Sequence, residues 1–176
     1  MGKTAMSKAL NTIYDALLMR HIRDAHHYGL MGYGEEQDAS AIEISNPLCG
    51  DTLTLKRWRS HESDQGMHLS FECECCGIAM GSASLMTLMM EGAPVNHAQD
   101  IAHAALAALR GEPASPKIMA MQYLPDHLQE DAKGGWQLLL EIAQDMPSRR
   151  TCASLAWQAL LAEFQGQSQI IAFEVK

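Results

Sequence analysis

Ser45-Asn46-Pro47-Leu48-Cys49-Gly50-Asp51 is a polar turn carrying a proline and a glycine, and it sets a thiol and a carboxylate close together between two strand-like runs. Before it, residues 40 to 45 alternate with Ile42 and Ile44 on one side; after it, residues 51 to 59 alternate with Leu53 and Leu55. Period-two alternation is the mark of a half-buried strand, and a short turn forces its flanking strands to run antiparallel. A third run, residues 66 to 73, places Met67, Leu69 and Phe71 at the same period and follows the turn-rich link Ser60 to Gly66. These three runs predict a small meander with one apolar face, which helices must cover.

Helical periodicity supplies that cover on both sides of the meander. Leu10, Ile13, Tyr14, Leu17, Leu18 and His21 predict a first helix over residues 6 to 22, followed by a polar loop in which His26 and His27 read as solvated. Residues 77 to 91 form a second, opening on the small residues Ala79, Gly81, Ser82, Ala83 and Ser84, with Met80, Met86, Met89 and Met90 as core filler. Asn96 is a candidate cap for a helix from His97 to Arg110, closed by Gly111 and Pro113. Residues 112 to 133 read as an irregular excursion with room for one short helix. Trp136 to Asp145 resumes a helix that Pro147 ends, and Ser148 is expected to cap a last one running through Cys152, Leu155, Leu160 and Phe164. The tail, residues 165 to 176, reads as an edge strand or a partner-docking strip. No repeat or linker is visible, so residues 1 to 176 are expected to form one domain.

With 176 residues, 47% of them hydrophobic, the chain can bury a core without staples. Its formal net charge of -8 and pI near 5.4 lack the basic face that counterion release from a phosphate backbone requires, which disfavours nucleic acid. No stretch reaches bilayer-spanning length and no apolar signal core opens the chain, so no membrane partner and a cytoplasmic location are expected. The five cysteines are odd in number, and in a reducing compartment they read as thiols and not as disulfides.

Cys76 precedes the helix at Gly77, and Cys152 lies in the first turn of the last helix beside Arg149 and Arg150. Both are therefore expected to feel the positive end of a helix dipole and to have lowered pKa values. With Cys49 and Asp51 they supply three sulfurs and one oxygen, enough for a closed tetrahedral zinc site or for a small iron-sulfur cluster. Strand parity groups Cys73 with Met67, Leu69 and Phe71 as a buried small hydrophobe, while Cys75, at the strand end, stays ambiguous and is the alternative ligand. A cysteine hydrolase would need a base beside its nucleophile; His61, His68, His97 and His103 are available, but none falls in a nucleophile motif.

Asn46-Pro47-Leu48-Cys49-Gly50-Asp51, Phe71-Glu72-Cys73-Glu74-Cys75-Cys76 with Ser82-Ala83-Ser84-Leu85-Met86-Thr87, and Arg149-Arg150-Thr151-Cys152-Ala153-Ser154-Leu155-Ala156-Trp157 together resemble the three cysteine motifs of the U-type iron-sulfur scaffold family. That family comprises IscU, SufU and the N-terminal domain of NifU, and the resemblance spans roughly residues 8 to 164. It implies an α+β fold, a three-stranded antiparallel sheet packed against a layer of about five helices. It implies further that Cys49, Asp51, Cys76 and Cys152 hold a 2Fe-2S cluster or zinc, with Cys152 and Cys49 as persulfide acceptors. The implied activity is assembly: sulfur arrives from a pyridoxal-phosphate cysteine desulfurase, a cluster is built, and apo-proteins receive it. The alternative is the SufU branch, a zinc-bound sulfurtransferase, which the long interval from Cys76 to Cys152 resembles. The chain departs from the family in carrying Cys73 and Cys75 where glycines are usual, which suggests an alternative ligand set or an extra sulfur-accepting thiol. It departs again in Thr151, where IscU proteins carry a histidine, and it lacks their Leu-Pro-Pro-Val-Lys chaperone-binding stretch. Association as a homodimer is left open.

Overall fold

The structure is a computed structural model that describes residues 16–29, 37–59, 66–113, 115 and 123–176. Residues 6 to 15 of the expected first helix, the loop glycines Gly32 and Gly34, the link 60 to 65 and the middle of the proline-bearing excursion lie outside the described residues. The first described element is α1, residues 16–23. Then come β1 (Gln37–Asn46), β2 (Asp51–Arg59), β3 (His68–Glu74), α2 (Gly77–Met90), α3 (Val95–Leu109), α4 (Asp126–Asp145), α5 (Arg150–Phe164) and β4 (Gln169–Ile171).

The meander forms as its alternation dictates. β1 and β2 pair antiparallel, with Ile42 opposite Leu55 and Ile44 opposite Leu53; β2 and β3 pair antiparallel, with Leu55 opposite Phe71 and Leu53 opposite Cys73. Opposed residues share a face, so Ile42, Ile44, Leu53, Leu55, Leu69 and Phe71 form one apolar surface, each no more than 1% exposed. The sheet is wider than expected. Ile170 of the tail pairs with Ile44, which adds β4 parallel to β1 and makes a four-stranded mixed sheet of order β3-β2-β1-β4 in place of a three-stranded antiparallel one. An exposed edge of unpaired backbone groups on β1 attracts any extended segment that reaches it, and the tail does.

Helices α2 and α5 are buried on almost every side, the pattern of helices at the centre of a core. α5 packs on α2, α3, β1 and β2, and α2 is flanked by α4. Small residues permit that approach: Ser82 Oγ donates to the Ala153 carbonyl and accepts the Trp157 indole N–H at 3.1 Å. Trp157 meets Trp136 edge to face, ring centroids 5.3 Å apart. Met86, Met89 and Met90 are buried, as expected of gap-filling side chains.

Several boundaries differ from expectation. α4 starts at Asp126, ten residues before Trp136, so the excursion is shorter and Gly134 and Gly135 are helical. A Cβ on Gly135 would come 2.6 Å from the Leu85 methyl, so its bareness lets α4 approach α2. α3 starts after Pro94, not at an Asn96 cap, and proline suits a helix start because its missing N–H would have been unpaired there. Ser148 falls within a 3-10 turn, Pro147–Arg149, that leads into α5, and no side chain caps that helix. His26 and His27 are half-buried, not solvated: the His26 N–H donates to Ser84 Oγ, and its carbonyl accepts from Thr87 Oγ1.

Candidate metal centre

The turn after β1 is built by Asn46. Its side-chain oxygen accepts the Leu48 N–H, its carbonyl accepts the N–H groups of Cys49 and Gly50, and Gly50 has the positive φ of +78° that closes the turn onto Asp51. Cys49 is thereby held outward at an exposed tip while Asp51, the first residue of β2, points into the helix-covered side and is 6% exposed.

The other two segments arrive from the helix layer. Cys76 ends the connection from β3 into α2, and its N–H donates to Asp51 Oδ1 at 3.0 Å. Cys152 lies in the first turn of α5, is 3% exposed, and has its sulfur 3.9 Å from that of Cys49. The ligand atoms of Cys49, Asp51 and Cys152 all lie within 4.8 Å of one another; the predicted fourth ligand, Cys76, is not among them and meets the group through its backbone N–H on Asp51. The three motifs separated by up to about a hundred residues in the chain thus meet at one end of the sheet.

Asp51 Oδ2 is buried and has no hydrogen-bond partner. A buried carboxylate oxygen left bare is costly, of the order of 1–3 kcal/mol or more. Beside three thiols, it is the kind of atom a cation satisfies. Thiolate sulfur and carboxylate oxygen are the donors that zinc accepts at four positions and that iron in clusters accepts in part, so this donor set fits either.

The thiols differ in acidity. Cys76 is pulled down to about 6, first by the hydrogen bond from Cys152 and then, against partial burial, by the Ala79 and Ile78 N–H groups at the start of α2. Cys152 goes the other way: its hydrogen bond to Cys76 and its burial raise it, contrary to the lowering expected from the dipole and the arginines. Arg150 instead turns back to the Ala143 carbonyl at the end of α4. Desolvation among its neighbours, chiefly, raises Cys49. Cys76 is thus the most acidic of the site thiols, and Cys152 holds its proton more tightly.

Cys73 and Cys75 form a disulfide, which corrects the expectation of five free thiols. Cys73 is half-buried against the core, its sulfur 3.9 Å from Met80 Sδ, and is not the inert buried thiol that strand parity suggested. With its sulfur committed, Cys75 is not an alternative ligand in this state. Parity could have exposed the pairing, since it puts residues 73 and 75 on one face. No histidine belongs to the site among the described residues: His21 bonds Ser84, His68 bonds Glu91 and His97 bonds Tyr123. Of the histidines considered as a hydrolase base, His61 lies outside the described residues, and His68 and His97 are engaged by Glu91 and Tyr123.

An α+β fold that sets two thiols and a buried carboxylate within 4.8 Å of one another at the end of its sheet offers a donor set suited to a thiophilic metal. More particularly, the chain belongs to the NifU-like N terminal domain family, which matches residues 13–132. The zinc-dependent sulfurtransferase SufU of Bacillus subtilis is 26% identical over 86% of this chain and 88% of its own length. An iron-sulfur cluster assembly scaffold protein IscU of Streptococcus pyogenes is 28% identical over 89% of this chain and 84% of its own. The crystal structure of the N-terminal part of a NifU-like protein from Brucella abortus superposes with a TM-score of 0.61 at 17% identity, covering 87% of this chain and 92% of the other, and supports the fold. Both sequence relatives extend well past the end of the family match toward Cys152. No described helix is long and apolar enough to cross a membrane.

Proposed function

We propose that residues 1 to 176 are one scaffold domain for iron-sulfur cluster assembly. It accepts sulfur from a pyridoxal-phosphate cysteine desulfurase, builds a 2Fe-2S cluster on Cys49, Asp51, Cys76 and Cys152, and passes it to apo-proteins in the cytoplasm, where a reducing pool keeps the site thiols available. The observation that carries this reading is the bare, buried Oδ2 of Asp51 among the site sulfurs. Cys49, exposed beside the projecting Leu48, is the thiol a desulfurase can reach; Cys152, 3% exposed, is a ligand and proton donor and takes sulfur only after the site opens. Asp51 contributes a single hard oxygen among soft sulfurs, the weakest bond to a cluster and the one where release begins.

A second reading, a sulfurtransferase with resident zinc, rests on the same four donors, which match the closed tetrahedral set, and on the similarity to SufU. Zinc would hold the thiols deprotonated, and Cys49 would leave it to attack the desulfurase persulfide.

Anaerobic reconstitution with iron and sulfide separates the readings. A scaffold develops visible sulfur-to-iron absorption that is lost in Cys76→Ala and becomes longer-lived on exposure to acceptor apo-protein in Asp51→Ala. A relay instead retains zinc against a chelator, gains no cluster and stimulates a desulfurase. A chain that binds neither zinc nor cluster defeats both.

A further inference from the structure

Cys73 and Cys75 belong to neither ligand set, yet their position relates them to the site. The β2–β3 ladder runs Leu53 opposite Cys73 and ends with Thr52 opposite Glu74, so Asp51 and Cys75 are the residues just past its last pair. Residues 51, 53 and 73 share one parity of the sheet, Cys73 packs against the core, and Cys75, bonded to Cys73, is the chain neighbour of Cys76. The pair is bonded in this structure and both residues are reachable, being neither fully buried nor enclosed.

We propose that Cys73 and Cys75 are a two-electron couple that reduces sulfane sulfur held at the site and releases it as sulfide. The inference rests on the sulfur-accepting reading above. In the first step the Cys75 thiolate attacks the outer sulfur of a persulfide on a site cysteine; a new sulfur-sulfur bond forms on Cys75, and the site cysteine leaves as its thiolate. In the second, the Cys73 thiolate attacks the inner sulfur of the Cys75 persulfide, closing the Cys73–Cys75 disulfide and expelling hydrosulfide. The sulfane sulfur gains two electrons and the dithiol loses two. The disulfide seen here is the spent state, and an external dithiol reductant restores the pair by exchange. Sulfide is thereby produced one residue from Cys76, where iron would need it.

The test uses the full chain, reduced with a phosphine, freed of reductant and treated anaerobically with glutathione persulfide. The wild type is expected to release about one sulfide per chain and to end with a Cys73–Cys75 disulfide on peptide mapping. Cys73→Ser should stall with the extra sulfur on Cys75, and Cys73→Ser/Cys75→Ser should hold it on a site cysteine, both releasing sulfide at least about tenfold more slowly. A pair that merely staples the strand end would not produce the Cys75 persulfide. The proposal is overturned if the wild type keeps its persulfide with residues 73 and 75 reduced, or if the variants release sulfide at the wild-type rate. Zinc retention and sulfur uptake are read in the same samples. Uptake without release removes the couple and leaves the scaffold reading standing, whereas no uptake at Cys49, Cys76 or Cys152 removes both.

Discussion

The difference in acidity between Cys76 and Cys152 decides which site sulfur is nucleophilic before metal arrives. Cys76 sits at the amino end of α2 with two backbone N–H groups that favour its thiolate, while Cys152 is buried in the first turn of α5 and its pKa is raised. Metal-free protein alkylated with iodoacetamide across a pH series is therefore expected to show Cys76 reacting first, with a midpoint near about 6. Cys152→Ala removes the largest stabilising contact of the thiolate, so the Cys76 midpoint must rise; an unchanged midpoint would assign the acidity to the helix start alone. Metal binding must expel the Cys152 proton, so zinc affinity should strengthen as pH increases over the neutral range.

At the scale of elements, α5 is tied to the sheet by a buried ion pair. Arg57 of β2 holds both oxygens of Glu163, at 2.8 and 2.9 Å, and Ser40 of β1 donates to the same carboxylate. Glu163 is 5% exposed, so removing its partner leaves a charge without solvent. Arg57→Met should cost about 3 kcal/mol, read as a lowered urea midpoint with unchanged slope, while Ser40→Ala should cost only about 1 kcal/mol. The sequence made the three meander strands legible because alternation survives wherever one face is buried, and β2 was located to the residue. It misled at α4, where Pro125 and two glycines look like breakers: the proline starts the helix, and the glycines face Leu17 and Leu85 across a contact that no local pattern reveals. β4 stayed unresolved between two readings because a strand of three residues is too short to show a period, and only the open edge of β1 selects one. The meeting of Cys49, Asp51 and Cys152 was legible from motif order and context. The direction of the Cys152 shift and the Cys73–Cys75 bond were not, since both depend on which neighbour a thiol meets in space.

For the molecule as a whole, acid is expected to act through histidines that folding keeps neutral. Burial, and then the charges of His27 and His21, lower His26 from the usual 6.5 to about 4; burial likewise lowers His21, whose Nδ1 lies 2.8 Å from Ser84 Oγ. Ser84 accepts the His26 N–H, so its own proton goes to His21 Nδ1, and a protonated His21 could no longer accept it. Asp131, 3.5 Å from His21 Nε2, opposes that shift, and Glu91 faces His27. The unfolded chain takes up protons near 6.5 that the folded chain refuses until about 4, so in this window it binds more of them and stability falls as pH falls. Above the unfolded value the contribution is complete and flat. Urea midpoints of metal-free protein should thus be constant above neutral pH and decline steadily from about 6.5 toward 4. His26→Asn keeps the backbone contacts to Ser84 and Thr87 while deleting the titrating ring, and it should flatten part of that decline. An equally steep decline in the variant would move the acid sensitivity away from the junction of α1 with α2.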